Sequence, residues 1–183
     1  MSYVPPIPTW DGLHPLIVHF PIVLLLVAPL FVILGALMPK SGRAMYLAAL
    51  VLMVLGTISA LVSYGTGEAA GKLAERAPQI NAAIERHEEL AETTRLLFSI
   101  LTVIFAGLLF VPKLMKFEIG RKGQAIAAIV FLFFYASGVL VLINTAHQGG
   151  MLVHQYGVHA LVAPDATNPP PIAPVEEKSD QGD

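Results

Sequence analysis

Two histidines five residues apart open the first apolar run of the chain, in Leu13-His14-Pro15-Leu16-Ile17-Val18-His19-Phe20-Pro21. An imidazole can ligate a metal through either ring nitrogen or move a proton near neutral pH. Placed at the head of a long apolar helix, His14 falls at a membrane surface and His19 roughly 7.5 Å deeper. An ionisable group at that depth is costly unless it faces protein and finds a partner, so it reads as a functional site. Four further histidines, His87, His147, His154 and His159, are the candidate partners.

The elements that must position them are transmembrane helices. The chain has 183 residues, 55% of them hydrophobic and only 13% charged, against about 25% charged in soluble domains. Apolar runs cover Leu16 to Met38, Ala44 to Ser63, a third ending at Val111, and Ala125 to Ile143. Each is near the roughly 20 residues that cross a bilayer core. The expected fold is all-α, one four-helix transmembrane bundle over residues 13–160. An outer arm (1–12) precedes it, and a Pro-rich, acidic tail (161–183) without fixed structure follows. No basic segment precedes the first run, so a cleaved signal peptide is not expected. The sequence has no cysteine, which excludes thiolate metal sites, Fe–S clusters and covalent haem attachment.

Charge fixes the expected orientation. Lys40 and Arg43 lie between runs one and two; Lys113, Lys116, Arg121 and Lys122, against Glu118 alone, lie between runs three and four. By the positive-inside rule that side is cytoplasmic. Both termini and the acidic second loop then face outward, in a multi-pass protein of the bacterial inner membrane. All six histidines fall on the outer, periplasmic side. Histidine tolerates headgroup interfaces, but this one-sided distribution favours a ligand cluster at the outer end of the bundle.

Local patterns sharpen the picture. Pro15 suits the first turn of a helix, whereas Pro21 frees the carbonyl of Ile17 and predicts a kink beside His19. Gly56, Ser59, Ser63 and Gly67 form a small-residue stripe, suited to close helix packing or to a flat macrocycle lying against it. Glu68 to Ala77 reads as a short amphipathic helix ending before Pro78. Ile80, Ile84, His87, Ala91, Thr94 and Phe98 repeat at helical spacing and put His87 on an inward face. Arg95 is placed for an ion pair with Glu92, or for a carboxylate such as a haem propionate. Gly149-Gly150 is expected to stop the fourth helix just after His147, with Met151 to Val162 an interfacial segment.

The motif at 13–21 resembles the opening signature of the DUF2231 family of bacterial membrane proteins. His87, and the run Gly149-Gly150-Met151-Leu152-Val153 followed by Gly157, are also similar to that family, so the likeness covers roughly residues 13–160. His154 and His159 stand where the family has other residue types and are left out of the core site. The resemblance implies four helices. Some relatives look like membrane modules attached to cytochrome c-type domains, which implies a redox setting.

Haem b takes axial imidazoles from facing helices. His14 and His19 share a helix and cannot both grip one iron, so one of them must pair with His87 or His147. The candidate cofactor site is therefore His14, His19, His87 and His147, with Arg95 beside it, holding one or two haems b. No histidine lies near the cytoplasmic end, so electrons would stay near the outer face. The expected function is a b-type haem-binding subunit of a respiratory or photosynthetic electron-transfer complex, rather than an enzyme acting alone. Other membrane subunits and a periplasmic c-type cytochrome are the expected partners, within the lipid bilayer and without nucleic acid. A structural or assembly subunit without cofactor is one alternative. A periplasmic-face metal-binding protein is the other: zinc would take three histidines and an acid such as Glu92, whereas copper(I) prefers soft ligands and only Met151 lies near the cluster. No hydrolase motif is present, and no ionisable residues line the middle of the bundle for transport.

Overall fold

A computed structural model describes residues 7–38, 40–74 and 78–158. The expected tail, His159 and the end of the Glu68 to Ala77 segment lie outside the described residues. A 3-10 turn, Asp11–Leu13, leads into a short α1, His14–Ile17, and then α2, His19–Leu37. Three long helices follow: α3, Gly42–Leu73; α4, Pro78–Leu114; and α5, Arg121–His154. The chain has four helices long and apolar enough to cross a membrane, and no strand among the described residues. Their outer surface is apolar, with Phe20, Val23, Leu30, Val103, Ile129 and Phe133 exposed. This is what lipid rather than water demands.

Proline marks two places in the first crossing. The helix is interrupted at Val18, between α1 and α2, which puts Pro21 in the first turn of α2. That is where a missing N–H is least costly, so the expected break falls just before His19. Pro29 lies inside α2 and cannot bond the carbonyl of Leu25 four residues back. The hydroxyl of the buried Tyr135, on α5, donates to that carbonyl at 2.8 Å. A neighbouring helix thus satisfies the group the proline leaves open, as the bilayer requires.

Two expected helix ends are corrected. Glu68 to Leu73 forms the last turns of α3, not a separate helix. No proline intervenes, and Lys72 bridges back to Glu68 at 2.8 Å across one turn. Likewise α5 runs through Gly149 and Gly150 to His154. Glycine costs a helix about 1 kcal/mol relative to alanine, and packing of Gly149 against His87 offsets that cost. The stop comes at Gly157, at φ +66°, where the Val158 N–H reaches the Leu152 carbonyl at 2.9 Å. That closure is one residue longer than the six-to-one bond of a Schellman cap, with the glycine in the same left-handed conformation. Met151 to His154 is accordingly helical.

The helices form a closed ring, α2 against α3, α3 against α4, α4 against α5 and α5 against α2. Inside it Leu25, Val32, Met53, Phe98 and Tyr135 are fully buried. Phe98 and Tyr135 meet edge to face at 5.3 Å, and Phe105 stacks on Phe131 at 4.8 Å.

The two hairpins, α1 to α3 and α4 to α5, repeat one register. Leu25 lies eleven residues after His14, and Phe98 eleven after His87. Gly56 packs against Leu25, and its counterpart Gly138 against Phe98 and Leu101. Eleven residues beyond each of these glycines stand Gly67 and Gly149. Buried Ala28 and Val32 match Leu101 and Phe105, and Ala49, Met53 and Ala60 match Phe131, Tyr135 and Leu142. This is a parallel repeat, the second hairpin reusing the helix-packing solution of the first.

Candidate functional site

The register brings two of the histidines together at the end of the bundle where residues 11 and 154 lie. His14, at the start of α1, reaches α3: its Nδ1 is 3.0 Å from the Ser63 carbonyl and 3.2 Å from Thr66 Oγ1. His87, on α4, reaches α5: its Nδ1 is 3.1 Å from the Thr145 carbonyl. A carbonyl can only accept, so each ring carries its proton on Nδ1 and keeps the lone pair on Nε2. No hydrogen bond reaches either Nε2 among the described residues. A carbonyl that fixes the tautomer and leaves the second nitrogen basic is the usual support for a metal-ligating histidine.

Two glycines make room for the rings. A methyl group at Gly67 would meet His14 Cε1 at 2.7 Å, and one at Gly149 would meet His87 Cε1 at 3.0 Å. In each half of the site a helix thus presents a hydroxyl residue whose carbonyl holds Nδ1, and, four residues on, a glycine that lets the ring approach. Ser63 with Gly67 and Thr145 with Gly149 are the two versions. A relay of hydroxyls steadies the second: the Thr145 hydroxyl lies 2.9 Å from the Val141 carbonyl and 2.8 Å from the Thr94 hydroxyl. With its one proton used on the carbonyl, Thr145 accepts from Thr94.

The imidazoles meet at 6.4 Å between centroids, with planes at 78°. They line a cavity of about 200 Å³ together with Pro21, Tyr64, Glu68, Glu88 and Leu142. In donor type and tautomer the two rings would suit a single iron held between them. The cavity is smaller than the roughly 300–1,000 Å³ of sites that enclose a small-molecule ligand.

The other expected ligands are elsewhere. His19 and His147 are exposed and line no part of this cavity. His19 is five positions from His14, about 140° round the helix, and His147 is two from Thr145, about 200° round; neither can share its neighbour's face. Arg95 lies outside the cavity lining, bonded to Glu92 at 2.7 Å as its spacing predicts. Its guanidinium sits 4.4 Å over the ring of Tyr64, which does line the cavity, and its Nε is buried without a hydrogen-bond partner among the described residues. The zinc alternative loses its ligand set: no group of three His, Cys, Asp or Glu is placed to hold an ion among the described residues.

Sequence reasoning did not single out Thr66, Thr145 or the pairing of Gly149 with His87. The signal that could have found them is the recurrence of a hydroxyl residue four before a glycine, itself eleven after another glycine. Ser63 and Gly67 stood in the small-residue stripe, where the other members do different work: Gly56 packs on Leu25 and Ser59 bonds its own Leu55 carbonyl at 2.8 Å.

Fold and site together define a polytopic four-helix membrane protein with a paired-histidine cavity at one end of its bundle. The chain belongs to the DUF2231 family, described as a predicted membrane protein, whose profile matches residues 11–161. No curated protein and no solved structure matches it.

Proposed function

We propose that this protein is a b-type haem-binding subunit of a membrane electron-transfer complex, in which His14 and His87 would hold the iron of one haem. The observation that carries the reading is the matched pair itself. Two imidazoles from different helices, each fixed as the Nδ1–H tautomer by a carbonyl, leave two basic nitrogens on rings 6.4 Å apart. Bound there, a haem supplies one-electron transfer. The chain's part is to orient the rings through Ser63 and Thr145, to raise their basicity through those hydrogen bonds, and to surround them with apolar side chains such as Pro21 and Leu142. His19, His147 and Arg95 have no ligand role in this reading. The histidine end faces the periplasm of a bacterial inner membrane by the distribution of Lys and Arg. There a soluble c-type cytochrome can exchange electrons with it, and neighbouring membrane subunits can cover its apolar flanks.

The test is the pyridine haemochrome spectrum of protein purified in detergent from its native host. One b-type haem per chain is expected; haem-free folded protein would overturn the proposal. The cavity volume favours a second reading, a structural subunit in which each imidazole only staples its helix pair. In that case the protein purifies without haem, and replacing either histidine lowers its melting temperature alone.

A further inference from the structure

A second cavity, at the opposite end of the bundle, has a different chemistry. It measures about 630 Å³, within the roughly 300–1,000 Å³ of ligand sites. Its walls are apolar and aromatic, with Tyr46, Phe105, Leu109 and Phe117 among them. Three cations border it from three different segments: Arg43 at the start of α3, Lys113 at the end of α4 and Arg121 at the start of α5. Glu118 is the one carboxylate in the lining. None of the three cations is ion-paired among the described residues.

We infer that this cavity binds an anionic phospholipid, its phosphate among Arg43, Lys113 and Arg121 and its upper acyl chain against the apolar wall. The cations stand at helix ends, where headgroups lie, and basic pockets between transmembrane helices suit anionic headgroups. Three charges against one disfavour a zwitterionic lipid. The apolar wall disfavours a free anion, which gains nothing from Phe105 or Leu109. Lys116, between α4 and α5, and Lys122, in the first turn of α5, do not line the cavity, so they provide an internal control for general surface charge.

The experiment follows the melting temperature of delipidated protein in a neutral detergent as phosphatidylglycerol, phosphatidylcholine or inorganic phosphate is added. Phosphatidylglycerol alone is expected to raise it. The shift is expected to vanish in the triple variant Arg43→Gln, Lys113→Gln, Arg121→Gln and to persist in Lys116→Gln, Lys122→Gln. An equal shift with phosphatidylcholine, a shift with phosphate alone, or one that survives the triple variant would overturn the inference. Should the triple variant not fold, native mass spectrometry of the wild type decides. Phosphatidylglycerol retained in preference to phosphatidylcholine supports the site, and equal retention refutes it.

Discussion

Each imidazole of the pair is set by three small decisions on the helix behind it: a carbonyl that takes the Nδ1 proton, a hydroxyl nearby, and a glycine that lets the ring close. The glycines are the most exacting of these. Gly67→Ala places a methyl 2.7 Å from His14 Cε1, so the ring must leave the Ser63 carbonyl. Overpacking of this kind costs about 1–3 kcal/mol, and thermal unfolding in detergent should show the loss. Gly149→Ala should behave in the same way, more weakly. Gly150→Ala is the contrast, since nothing lies within 4 Å of its added methyl and the residue is helical. It should leave the site unchanged and raise stability by about 0.4–1 kcal/mol. That His87 faces inward was legible from the spacing of Ile84, Ala91, Thr94 and Phe98 around it. That His14 and not His19 meets it was not legible, because the first crossing is apolar all round and its sequence does not mark which face turns inward.

Among the elements, α2 shows how the bundle tolerates prolines that water-soluble helices reject. The bond from Tyr135 to the Leu25 carbonyl exists because Pro29 leaves that carbonyl open. Tyr135→Phe should therefore cost about 1–3 kcal/mol, the range for an orphaned buried acceptor. Pro29→Ala restores the backbone N–H, so the same tyrosine substitution should cost clearly less in that background. Equal costs in both backgrounds, read from a double-mutant cycle of unfolding midpoints, would refute the coupling. The four crossings themselves were legible in hydropathy, since a run of some twenty apolar residues has few other uses. The helix ends were read less well. A Gly-Gly pair looks like a stop only when nothing is known of what packs on it, and here His87 does.

At the scale of the whole molecule, the chain is two copies of one hairpin register, with a histidine site at one end and a cation-rimmed cavity at the other. The repeat hides in the sequence because it conserves burial and glycine contacts rather than residue types: Leu25 answers to Phe98, Met53 to Tyr135 and Ser63 to Thr145. It implies that the halves contribute alike, so His14→Ala and His87→Ala should impair the protein to a similar degree. Orientation can be read directly, because the chain has no cysteine of its own. In intact cells a membrane-impermeant maleimide should label Gln155→Cys and leave Lys116→Cys unlabelled. The reverse pattern would place the histidine site in the cytoplasm.

The most direct test of the proposed haem site at the histidine pair is a reduced-minus-oxidised spectrum taken on four single variants, His14→Ala, His19→Ala, His87→Ala and His147→Ala, each purified from the native host and checked for folding. The b-type signal should be lost or greatly diminished in His14→Ala and His87→Ala and retained in the other two. A signal that survives both of the first pair, or that depends on His19 or His147 instead, would contradict it.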